Sequence, residues 1–197
     1  MNIVTEPTAT AQWQSLVVEA EDKANRTLSD TLESYLVFTL MRFTQRPDML
    51  TGAMALAFMN GLNEQGQRRH DDLRDIGDQC LLFSGLFPRH AQRRLVRVSY
   101  FVNLGRSAYQ QLHGELRHAG RKLYGQLASD FIAMTDVLLA MRSLNQETSA
   151  LTPIEAYELW EDTGSPQALH TLQQQHPDAT PIASHWHNDE GNDTLTH

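Results

Sequence analysis

The stretch Leu-Ser-Asp-Thr-Leu-Glu-Ser-Tyr-Leu-Val-Phe-Thr-Leu-Met-Arg-Phe, residues 28–43, decides the fold class. Leu28, Leu32, Tyr35, Leu36, Val37, Phe38, Leu40, Met41 and Phe43 recur every one to four positions, the pattern of a helix and not the strict alternation of a strand. Apolar residues occupy nearly the whole circumference, which predicts a central, buried helix rather than a surface one. Arg46-Pro47 stops it, because the residue before a proline is pushed out of the helical region.

Working outward, the chain continues in the same idiom. Upstream, Trp13, Leu16, Val17, Ala20 and Ala24 predict a helix over 10–26. Downstream, Met54, Leu56, Phe58 and Met59 predict one over 49–60, with Asn60-Gly61 as its C-terminal cap. A fourth carries Leu73, Ile76, Cys80, Leu81 and Phe83 and ends before Pro88. The stretch between Arg89 and Thr152 has no proline and accommodates helices over 91–112, 114–127 and 128–144. Gly105, Gly114, Gly120 and Gly125 interrupt it. Each costs about 1 kcal/mol against alanine in a helix interior, so they imply close helix contacts or breaks.

Thr152-Pro153-Ile154-Glu155 has the form of a capping box with proline at the first helical position. That helix is expected to end at Gly164, and Ser165-Pro166 to open a short one reaching 175. After Pro177 the chain turns polar and reads as a tail. The 26 Leu against 13 Val plus Ile favour helix over sheet throughout. The expectation is an all-α, single-domain, up-and-down-like bundle of six to eight helices over 1–176, followed by a disordered or loosely docked acidic tail over 177–197.

Composition narrows the setting. A hydrophobic share of 41% supports a packed core, and no apolar run approaches the ~20 residues of a bilayer span. The N-terminus has neither a basic segment nor an apolar one of the secretory kind, and the single Cys80 cannot form an internal disulfide. A soluble protein of the reducing cytoplasm is expected. The net charge of −8 conceals an asymmetry: residues 68–122 carry eleven Lys/Arg and five Asp/Glu, residues 123–197 one and eleven.

Four groups of residues bear on function. Asp71, Asp75 and Asp78 share one helix face, the arrangement by which helical bundles build carboxylate metal sites, with Glu33 able to complete a set. The same face serves equally for ion pairs to Arg68, Arg69 and Arg74. Glu33, Asp78, Gln79 and Arg106 lie inside apolar stretches, and a buried charge requires a partner; they are read as a buried polar network or as the lining of a pocket. Arg89, Arg93, Arg94 and Arg97, with His90, form a basic cluster suited to an acidic protein surface, to the chain's own acidic third, or to phosphates. Cys80 reads as a small core hydrophobe; His185, His187 and His197 offer only a weak metal grip.

The leading functional expectation is a non-enzymatic helical protein-interaction or regulatory module, self-associating as a homo-oligomer, with the basic middle as docking surface and no cofactor. The alternative is a small-ligand binder or enzyme with a polar pocket between the second, fourth and 91–112 helices. Nucleic-acid binding through the basic middle ranks third.

Overall fold

A computed structural model of the chain describes residues 8–46, 54–88, 96–144 and 151–177, and the fold is all-α. Among the described residues there are nine helices and no strand: α1 (Ala9–Ala24), α2 (Asp30–Gln45), α3 (Met54–Asn63), α4 (Gly66–Gly85), α5 (Val98–Glu115), α6 (His118–Ser129), α7 (Phe131–Ser143), α8 (Pro153–Thr163) and α9 (Pro166–Gln175). That is one more than the upper end of the expected six to eight, within the same all-α bundle. No described helix is long and apolar enough to cross a membrane. The tail expected after Pro177 lies outside the described residues.

Helix ends follow local chemistry. Ser29 caps α2 with its hydroxyl on the Leu32 N–H, and Arg46 closes it in a non-helical conformation, φ −134° and ψ 70°. Thr152 and Glu155 form the expected reciprocal box, with the Thr152 N–H donating to Glu155 Oε2 at 2.7 Å. Gly164, at φ 70°, then turns the chain through the left-handed region that favours glycine. Thr152→Ala is therefore expected to lower the unfolding free energy by about 1 kcal/mol in urea titrations. A loss below about 0.3 kcal/mol would show that the box does not hold α8 in place.

Two sequence expectations change. α3 does not stop at Asn60-Gly61 but runs through them to Asn63. Gly61 lies against α4, where an added Cβ would meet Asp72 Cβ at an ordinary 3.5 Å, so it is a helix-interior residue and not a cap. The helix expected over 91–112 is broken at Val96 and Arg97, and α5 starts at Val98; residues 91–95 lie outside the described residues. Gly105 is a site of close contact: a Cβ there would fall 2.5 Å from Phe131 and 2.8 Å from Cys80.

The core also has a different centre. α2 buries Leu32, Leu36, Val37, Thr39 and Leu40 but leaves Phe38 62% exposed, so it is a flanking helix. α4 and α7 are more deeply set, α4 with a buried run from Cys80 to Gly85 and α7 with Met134 to Ala140 buried without a break. α4 packs on α3, α5 and α7, while α1 packs on α2 and α7 and closes the bundle. Phe83 stacks on Phe101 at 5.3 Å, and Tyr109 meets Phe131 at 5.8 Å, joining α4, α5 and α7 in one aromatic core.

Candidate functional site: an acidic groove beside a buried polar network

Along α4, positions 68, 72, 75 and 79 recur at helical spacing and share a face. The groove they form with α3 has a volume of about 480 Å³. Asn60 and Asn63 line it from α3; Arg68, Asp72, Asp75 and Gln79 line it from α4, and Glu64 lies on the turn between them. Gly61 faces Asp72, Leu73 and Ile76 of α4 at ordinary contact distance beneath the groove. Glu64 reaches Arg68 at 3.9 Å on the rim. Asp72 has no ion-pair or hydrogen-bond partner among the described residues, and the side-chain amides of Asn60, Asn63 and Gln79 have none either. The groove thus presents one unpaired carboxylate, three unpartnered amides and a net negative lining.

Behind this wall the same helix carries a buried anion. Asp78 is 1% exposed and accepts hydrogen bonds from Tyr35 Oη at 2.7 Å and Tyr109 Oη at 2.6 Å. Arg42 donates from one nitrogen to Asp78 and from the other to Asp75 at 3.0 Å. Burial pushes the Asp78 carboxyl up from its ordinary value, with Arg42 and the two tyrosines opposing the shift. Burial, together with the Asp78 charge, holds both tyrosine hydroxyls well above theirs, so both remain donors. The network pins α2, α4 and α5 together and fixes Asp75 at the groove's edge.

A second buried carboxylate ties the far side. Asp136, fully buried, accepts from Arg26 Nη2 at 2.7 Å and Nε at 3.0 Å, and from the Ser165 hydroxyl that also caps α9. Burial raises its pKa, opposed by Ser165 and Arg26.

Of the residues singled out in the sequence, Asp78 is buried in a network and Gln79 lines the groove. Glu33 and Arg106 join neither. Glu33 accepts from Gln14 Nε2 at 3.0 Å on the α1–α2 seam, and Arg106 donates to the Ala128 carbonyl at 3.2 Å. The cation that reaches Asp78 is Arg42, because Tyr35, Thr39 and Arg42 recur on one face of α2 while Arg106 faces α6. Of the four carboxylates proposed for a metal, three are engaged with arginine: Asp71 with Arg74 at 3.5 Å, Asp75 with Arg42 and Arg74, and Asp78 with Arg42. No group of three or more His, Cys, Asp or Glu among the described residues is placed to hold a metal ion.

Of the basic cluster, Arg97 pairs with Asp162 at 3.3 Å and Glu158 at 3.6 Å on α8, joining the basic middle to the acidic third. Arg89, Arg93 and Arg94, with His90, lie outside the described residues, as do His185, His187 and His197. Cys80 is buried in the core, where desolvation pushes its thiol pKa up.

Sequence reasoning missed Arg42, Tyr35, Tyr109 and the Arg26–Asp136 pair. A signal for Asp136 was present, since it interrupts Met134, Val137, Leu138 and Leu139 as Asp78 interrupts its own apolar run. No protein-family model matches the chain, and no curated protein or solved structure matches it.

Proposed function

We propose that the protein is a non-enzymatic interaction module that holds an extended, basic segment of a partner polypeptide in the α3–α4 groove. The observation that carries this reading is the unpaired Asp72 beside Asn60, Asn63 and Gln79. A side-chain amide offers both donors and an acceptor, and so can pair with the N–H and C=O of an extended backbone. A carboxylate without a cation attracts arginine or lysine, and such charge-assisted bonds are the stronger kind. The sequence had suggested an acidic partner for the basic middle. Arg97 already holds acids of the same chain, and the groove has the opposite sign. The junction of α2, α4 and α5, where a small-ligand pocket was the alternative, is occupied by the Tyr35–Asp78–Tyr109 network.

The test is fluorescence anisotropy with a labelled peptide of alternating arginine and alanine, and with its glutamate counterpart. The arginine peptide should bind, Asp72→Asn should weaken it about tenfold, the worth of one 1.4 kcal/mol contact, and added salt should weaken it further. Equal binding of the glutamate peptide, or an unchanged affinity in the variant, would refute the assignment.

A further inference from the structure

A second cavity, independent of the groove, lies where the end of α1 meets the start of α9. Its volume is about 350 Å³, and Lys23, Arg26, Gln167 and His170 line it together with Ala24, Asn25 and Pro166. None of these seven residues is acidic, in a chain whose net charge is −8. Asn25 adopts a left-handed conformation, φ 49°, that ends α1 and turns the chain. Arg26 then lies over α7, where Asp136 holds it.

The cations are fixed before any ligand arrives. Lys23 Nζ donates to the Ser143 carbonyl at 2.7 Å, one of the three donors an ammonium has. Arg26 gives Nε–H and one Nη2 hydrogen to Asp136 and keeps three of its five N–H donors. Asp136 offsets the Arg26 charge, but its side chain is wholly buried beneath it, so the cavity wall presents donors and not the carboxylate. Gln167 adds an amide and His170 an imidazole whose Nε2 lies 3.4 Å from Gln174 Nε2. Preorganised donors of this kind suit a compact anion with several acceptor oxygens. Ala24 and Pro166 supply an apolar flank for whatever carries it.

We propose that this cavity is an anion site that takes the phosphate group of a small phosphate monoester. Such a group has close to two negative charges near neutral pH and three acceptor oxygens, which Lys23, Arg26 and His170 can share. A cavity of this size lies at the lower end of the range for small-molecule sites.

Isothermal titration calorimetry with inorganic phosphate, phenyl phosphate and phenol tests it. Lys23 and His170 are exposed, so Lys23→Gln and His170→Ala leave the fold intact, as circular dichroism checks. Arg26 is left unchanged, because its removal strands Asp136. Both phosphates should bind saturably and phenol should not. Lys23→Gln should weaken phenyl phosphate at least about tenfold, by loss of a charge-assisted bond, and His170→Ala should weaken it severalfold. The proposal fails if neither phosphate saturates by about 10 mM, if phenol binds as tightly as phenyl phosphate, or if both variants bind as the wild type does.

Discussion

Arg42→Ala is expected to lower the unfolding free energy by about 3 kcal/mol at neutral pH, the low end of the range for breaking a buried ion pair. Asp78 is 1% exposed, and Arg42 is the cation bonded to it. Without Arg42 the carboxylate keeps two neutral tyrosine donors but faces Asp75 across the gap. The low end applies because the Arg42 side chain is 29% exposed, and water can partly replace it. The pH dependence has a definite sign. Burial raises the folded-state pKa of Asp78, so the folded chain binds more protons than the unfolded one in the window above the ordinary aspartate value. Asp78 therefore contributes most below that value, and its contribution falls as pH rises through the folded pKa. Loss of Arg42 raises that pKa further, so the gap between variant and wild type should narrow as pH falls towards about 4. Urea unfolding at both ends of the range measures it. A cost under about 0.5 kcal/mol, or a gap that widens in acid, would contradict the account.

Gly77→Ala should be comparably severe, about 3 kcal/mol. Its Cβ would fall 2.3 Å from Tyr109 Cε1 and 2.6 Å from Cδ1. The ring cannot retreat, since Tyr109 is fully buried, its hydroxyl is bonded to Asp78, and Phe131 and Tyr124 flank it. Gly61→Ala, one helix away, is the control. There the nearest atom would be Asp72 Cβ at 3.5 Å, an ordinary contact, and the helix interior should gain up to about 1 kcal/mol. The two substitutions are chemically identical and differ only in what each meets, so opposite signs in thermal melts would locate the tight seam at α4–α5. Equal effects would place it elsewhere.

Much of the helix plan is legible in the sequence because its punctuation is local. The Thr152–Glu155 box, the left-handed Gly164 and the stop before Pro47 each depend on a few adjacent residues. Centrality was not legible. The 28–43 stretch is apolar nearly all round, yet Phe38 faces solvent, while α4, more polar in sequence, buries Cys80 to Gly85 without a break. Hydrophobicity counts apolar residues but does not say which neighbours arrive to cover them.

The buried network was half legible for the same reason. Asp78 stands out because an acid amid Cys80, Leu81 and Leu82 needs a partner. Which arginine answers it depends on the packing of α2 against α4, 36 residues apart in the chain, and the face shared by Tyr35, Thr39 and Arg42 was the available hint. The groove was hidden more deeply. Asn60-Gly61 has the composition of a helix cap, and that reading removes from view the α3 surface that Asn60 and Asn63 form. Only the packing of α3 on α4 turns those amides and Asp72 into one lining. The network and the groove share α4, so Arg42, by gripping Asp75, sets one edge of the surface that a partner would meet.

The central claim is the groove's occupancy, and a heteronuclear NMR titration of the nitrogen-15-labelled protein with the arginine–alanine peptide tests it most directly. The side-chain amides of Asn60, Asn63 and Gln79 and the backbone amides around Asp72 should shift together and saturate, and Asp72→Asn should move the midpoint to about tenfold higher peptide concentration. Shifts centred on Arg97 and α8, or a response that never saturates and is indifferent to Asp72, would contradict it.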